Sequence, residues 1–351
     1  MWPMPEPLGR AVYLTSFDRQ RAALERNAGS GAPVFISLHM SEEFSPDYTR
    51  RAEDACRWLS ERGFRVIADV SKKTVQQFSQ PDLVRLAESF GLWALRVDYG
   101  LNEEEIADLA RRIPVVINAS TTDPDTAQRL AKDAVKLMAM HNFYPRPETG
   151  LDDDYFRTTT QALRDAGLEV LAFIPGDQDL RGPVHEGLPT LERHRGLPPS
   201  VAFVDLVLNF GLETVFAGDP GVSDRELRRI DRFCREGVIE LPAQLDKVYE
   251  NLYGRVFTCR PDSPQWLVRF AESREYSCRG ETVAPGEALP RVAGSITVDN
   301  TNYGRYVGEL QLVRTDLPAD GRVNVIGHVE EKYLLLADCV RRGSRFALTP
   351  D

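Results

Sequence analysis

The chain has 351 residues, enough for two domains, with 43 Lys and Arg against 53 Asp and Glu, a net charge of −10 and a pI near 5.2. That balance excludes a general nucleic-acid binder, which needs a basic face, yet allows an anionic small substrate held by a local arginine cluster. The N-terminal MWPMPEPLGR lacks the charged and apolar regions of an export signal, no stretch approaches 18 apolar residues, and five scattered cysteines show no CxxC; a cytoplasmic chain with no membrane partner is expected.

Short apolar, β-branched runs recur at 11–17, 33–40, 64–70, 94–100 and 114–120, and again at 136–144, 169–176 and 214–221. Helical patterns lie between them. Ala52, Ala55, Cys56 and Leu59 form one stripe before Gly63; Leu83, Leu86, Ala87 and Phe90 form another before Gly91. Asn102 and three glutamates precede the stripe of Ile106, Leu109, Ala110 and Ile113. Asp123-Pro124 opens the next, carried by Ala127, Leu130, Ala131 and Ala134, and Ser223 to Glu226 is a capping-box pattern. Eight βα units over about 240 residues predict a (β/α)₈ TIM barrel over residues 1–240. The absence of a GxGxxG turn after the first run counts against an open doubly wound sheet. Beyond residue 240, VFTCRPD, VAGSITVDN, YVGELQLVRTDL and VNVIGHVE predict a smaller, mostly β domain over 241–351.

Barrel chemistry gathers at the C-terminal ends of the strands. Those ends carry Asp18, His39, Asp69, Asp98, Asn118, His141, Asn142, Tyr144, Arg146, Asp177 and Asp219. Asp69 and Asp98 stand within or directly after apolar strand residues on adjacent strands, where an idle carboxylate would be costly. They can supply the two carboxyl groups of a glycosidase, with Asp219, Asp177 and Glu148 as rivals. A metal site built from His39, His141 and aspartates lacks HxH or HExxH spacing, so no metal is expected. Aldol chemistry through a Schiff base finds no lysine at any strand end. Arg146, Arg181, His194 and Arg195 are candidates for holding a phosphate, although Arg195 is equally placed to pair with Glu192.

HNFYPRPETGL after the sixth run, FIPGD and RGPVHEGLPTLERHR after the seventh, and SITVDNTNYGRYVGELQ near the C-terminus resemble the MupG family, as do ISLHM and RVNVIGHV. That resemblance runs essentially end to end. It implies a TIM barrel followed by a cyclophilin-like β domain. It also implies a cytoplasmic 6-phospho-N-acetylmuramidase that hydrolyses the β-1,4 bond of the disaccharide MurNAc-6-phosphate–GlcNAc in cell-wall recycling, without a cofactor. On the matching motifs, His141, Asn142, Tyr144, Arg146, Glu192, His194 and Arg195 are expected to wall the site. His141 and Asn142 would face the sugar, and Arg146 an anion. Asp98 is expected to be the ionised carboxylate and Asp69 the proton donor. Asp299, Asn300, Tyr303 and Arg305 either complete the pocket or form a turn. A phosphosugar-binding protein without turnover, a lyase on the same sugar and a homodimer remain open at this level.

Overall fold

The structure, a computed structural model, describes residues 5–38, 46–97, 100–273 and 282–350. The chain divides into two compact units, Met1–Leu227 and Arg228–Asp351. The first is a closed parallel barrel of eight strands: β1 (Gly9–Val12), β2 (Pro33–Ser37), β3 (Arg65–Val70), β4 (Ala94–Val97), β5 (Val115–Asn118), β6 (Leu137–Met140), β7 (Glu169–Ile174) and β8 (Thr214–Ala217). Each pairs with its sequence neighbour, and β8 closes on β1 through Gly9 opposite Phe216. The helices are α1 (Phe17–Glu25), α2 (Tyr48–Glu61), α3 (Lys72–Gln77), α4 (Leu83–Phe90), α5 (Glu103–Ala110), α6 (Pro124–Ala131), α7 (Asp153–Asp165), α8 (Pro199–Phe210) and α9 (Asp224–Glu236).

Alternation along the strands sorts their side chains into two layers. Ala11, Tyr13, Phe35, Ile67, Ala94, Val116, Leu171, Phe173 and Phe216 fill the barrel interior, while Val12, Val34, Ile36, Val66, Ala68 and Leu95 face the helices. Phe35, Phe173 and Phe143 meet edge to face at centroid distances of 5.1–6.5 Å. Such ring pairs add about 0.5–1.5 kcal/mol each beyond the area they bury. Gly9 is required by this packing, because a Cβ there would stand 2.6 Å from the Phe216 ring.

The helices start where short polar side chains can take first-turn N–H groups. Asp82, Asn102, Asp123 and Asp152 accept from the amides of Arg85, Glu105, Thr126 and Tyr155. Gly91 and Gly211 end α4 and α8 in the left-handed conformation. The first expected strand is shorter than its apolar run. It stops at Val12 because the Gln20 side chain donates to the Ala11 carbonyl and accepts from the Tyr13 amide, turning the chain into α1.

The second unit holds a seven-stranded sheet in the order β10 (Val256–Thr258), β15 (Arg345–Thr349), β9 (Val238–Leu245), β14 (Val323–Val329), β12 (Ser295–Asp299), β13 (Leu310–Val313) and β11 (Leu267–Arg269). Among its described strands, only β15 and β9 pair in parallel. Among the described residues, no helix is long and apolar enough to cross a membrane.

Candidate functional site

The C-terminal end of the barrel carries a chain of buried polar groups. Asp69 closes the inward-facing row of β3 and lies in register with Arg96 of β4. Arg96 Nη1 donates to Asp69 Oδ1 at 2.9 Å, and its Nη2 donates to Asn142 Oδ1 just beyond β6. Asp69 and Arg96 are 6% and 3% exposed, so this ion pair works in a low-dielectric setting. Arg96 was not among the residues expected from the sequence. The signal for it was a lone charge inside the apolar run ALRV, at the same parity as Ala94, which faces the interior.

Asn118 ends β5 and is 6% exposed; its Oδ1 accepts the Ser120 amide at 2.9 Å. On the far side of the barrel, the Arg181 guanidinium covers the Tyr13 ring at 4.4 Å, and Tyr13 donates to the Gly218 carbonyl at 2.5 Å. Asp219 is buried beside them. Its Oδ2 accepts the amides of Gly176 and Leu188 at 2.8 and 2.9 Å, and its Oδ1 accepts that of Arg181 at 3.0 Å. Burial raises its pKa, and the three amide bonds pull in the opposite direction. With both oxygens engaged, Asp219 ties the loops after β7 and β8 together.

The HNFYPRP stretch divides by parity. His141 does not face the barrel mouth: it is fully buried against α7. Its Nδ1 lies 3.1 Å from Ser120 Oγ, its Nε2 lies 3.1 Å from Thr160 Oγ1, and its ring lies 4.6 Å from that of Phe156. Desolvation lowers its pKa to about 3, leaving it neutral. Asn142, one residue on, turns the other way to meet Arg96. Tyr144 is half-buried, with its amide bonded to the Pro189 carbonyl at 2.9 Å. Arg146 is exposed.

Glu192 and Arg195 form a strut. Arg195 Nε and Nη2 hold Glu192 Oε1 and Oε2 at 2.7 and 2.8 Å. Arg195 also donates to the carbonyls of Gly187 and Tyr144 at 3.0 and 2.9 Å, while Glu192 accepts the amides of Glu148 and Gly150. The bond from Arg195 is the main reason the Glu192 pKa falls to about 2. Glu148 itself is exposed, at a φ of 68°. His194 is another buried histidine rather than a site wall: its Nε2 stands 2.8 Å from Asp205 Oδ2 on α8, which also accepts from Arg193.

Asp177 is exposed, accepts the Ser223 amide at 2.7 Å, and lines a separate cleft beside α1. His39 and Asp98 lie outside the described residues. Among the described residues, no group of three His, Cys, Asp or Glu side chains could hold a metal ion. In the second unit, Asn300 is buried and caps a turn over Thr301–Tyr306, accepting the Asn302 amide at 3.0 Å. Within that turn Arg305 donates to Tyr306, and the Tyr303 ring lies under Arg322. Burial, then the charge of Glu309, raises the pKa of Asp299 to about 7.

A search among curated proteins gives no match. A conserved Enterococcus faecalis protein of unknown function has a similar solved structure, with 30% identity and a TM-score of 0.84, over 98% of this chain and 96% of that one. An uncharacterized B. cereus protein is similar at 24% identity and a TM-score of 0.81, over 99% and 100%. Family models described as 6-phospho-N-acetylmuramidase, N-terminal and C-terminal, match residues 8–232 and 238–349. The chain therefore belongs to the 6-phospho-N-acetylmuramidase (MupG) family and is a glycosidase on an eight-stranded α/β barrel.

Proposed function

We propose that the barrel mouth hydrolyses the β-1,4 bond of MurNAc-6-phosphate–GlcNAc, releasing GlcNAc, as a cytoplasmic step of peptidoglycan recycling. The observation that carries this reading is the buried Asp69–Arg96–Asn142 chain at the strand ends of a barrel whose family is named for that reaction. Glycoside hydrolysis uses one ionised carboxyl group and one that carries a proton. The ion pair with Arg96 suits Asp69 to the ionised role, as base or nucleophile, which reverses the assignment expected from sequence. Asp98, which follows β4 in the sequence, then becomes the proposed proton donor. Asn142 has its Oδ1 fixed by Arg96, which leaves its amide N–H groups to meet sugar hydroxyls. Arg181, spread over Tyr13, and the exposed Arg146 are the proposed anion partners for the 6-phosphate.

The test is incubation with MurNAc–GlcNAc, with and without the 6-phosphate, and identification of the products by mass. GlcNAc released from the phosphorylated disaccharide alone is expected. Asp69→Asn should lower turnover at least about a hundredfold with the circular dichroism spectrum unchanged. Lactate as the product would assign a lyase instead. Binding without turnover would sink the hydrolase reading, and a mild effect of Asp69→Asn would move the chemistry to another carboxylate.

A further inference from the structure

A second concavity lies outside the barrel. A cleft of about 800 Å³ is lined by Arg10 of β1, by α1, and by the segments following β7 and β8. Ala11 and Tyr13 fill the barrel interior, so Arg10 shares the outward parity of Val12 and faces the helix layer. Arg10 is only 9% exposed, and its guanidinium makes no hydrogen bond or ion pair among the described residues. Burial, then Arg26 nearby, lower its pKa to about 10 against the opposing charges of Asp177 and Asp224, which leaves it charged at neutral pH. With no hydrogen-bond acceptor on its guanidinium among the described residues, Arg10 offers a donor fork to a group in the cleft that it lines.

The carboxylates nearby make their close contacts with other groups. Arg26 holds Asp224 at 3.1 Å, Arg19 faces Asp179 at 3.6 Å, and Asp177 takes the Ser223 amide. That last bond sits at the start of α9, a helix of 13 residues whose N-cap, Ser223, accepts the Glu226 amide at 3.3 Å. The first turn of such a helix carries the positive end of its dipole. A buried guanidinium fork and a helix N-terminus thus line one cleft, and together they match a tetrahedral oxyanion.

We propose that this cleft is an anion site outside the barrel mouth, which takes the phosphoryl group of a small phosphate monoester on Arg10 and the start of α9. The volume leaves room for the rest of a metabolite. Gln178 and Gly221, which bridge the loops after β7 and β8, line it as well. Those loops also hold the amides of Gly176 and Arg181 on Asp219, so occupancy would steady them.

The test is thermal unfolding of the full chain, titrated with inorganic phosphate and, in parallel, with a hexose 6-phosphate, at ionic strength held constant with chloride. Wild type should gain a few degrees. Arg10→Met should lose that gain, with an apparent dissociation constant raised at least about tenfold. Ala23→Glu, on the α1 wall of the cleft, should also lose the gain by giving Arg10 a carboxylate, and it decides the matter if Arg10→Met does not fold. A stronger response to the sugar phosphate would identify a metabolite site and an equal response a site for phosphoryl groups alone; both uphold the proposal. It is overturned if both folded variants keep the wild-type response, or if wild type shows none.

Discussion

His141 is fully buried between Ser120, Thr160 and Phe156, so protonating it would require breaking that packing. Its pKa of about 3 lies below the ordinary value of 6.5, so the unfolded chain binds a proton that the native state refuses. The stability it confers is complete above pH 6.5 and is lost as pH falls from there toward 3, by up to ~1.4 kcal/mol per pH unit. Asp299 acts with the opposite sign. Its pKa is raised to about 7, so the native state holds a proton that the unfolded chain releases, and its contribution fades as pH rises from about 4 to 7. Comparing His141→Gln with wild type cancels Asp299. The variant should be less stable at pH 7.5, by roughly 1–2 kcal/mol for a weakened hydrogen bond. Its urea midpoint should fall less steeply between pH 6 and 4.5; parallel slopes for the two proteins would show that His141 is protonated in the native state. The strand alternation that separates His141 from Asn142 was readable in MAMHN, but a motif taken as a block conceals it. Arg96 was concealed differently: an arginine in a strand reads as a surface residue until its pairing with Asp69 is seen.

At the scale of elements, the loops at the strand ends are held by few side chains. Arg195 joins the Tyr144, Gly187 and Glu192 segments, and Gly150 packs so closely on Glu192 that a Cβ would stand 2.5 Å from its carboxylate. Arg195→Ala removes the strut and leaves the barrel strands intact. We expect KM for the phosphorylated disaccharide to rise about tenfold with kcat within a few-fold, because loop placement mainly serves binding. Limited proteolysis should cut faster within 144–150. An unchanged KM with faster cleavage would place these loops away from the substrate. The eight barrel strands were legible because each is a short apolar run between helices that carry a polar outer face. Helix α8 was not, since it is buried on nearly every side and so has no amphipathic stripe. Strand β9 reads VIELPAQL, and its proline suggests a break. Pro242 is tolerated because it sits where the β15 ladder ends at Thr349 and the β14 ladder begins at Ala243.

At the scale of the molecule, the division between the compact units falls inside α9, between Leu227 and Arg228. A change of sequence grammar near residue 240 reflects where strands begin, whereas stability depends on which side chains pair. Arg229 donates to the Tyr333 hydroxyl at 2.7 Å and faces Glu240 at 3.7 Å, and Arg232 holds Glu240 at 2.6 Å. Arg229 is 5% exposed and the Glu240 side chain 17%, so these bonds are shielded from water. A fragment of residues 238–351 keeps every strand of the second sheet but leaves Glu240 and Tyr333 without those partners. Each of these shielded, charge-assisted bonds contributes about 1–3 kcal/mol. The fragment 224–351 retains the helix and both arginines. It should melt about 5–15 °C higher than 238–351, given the shift of a few degrees per kcal/mol expected for a unit of this size. Arg229→Met in the longer fragment should recover part of the loss by packing, but not the bond to Tyr333. Equal melting temperatures for the two fragments would mean that α9 adds nothing to the second unit, and the working boundary would then lie after the helix.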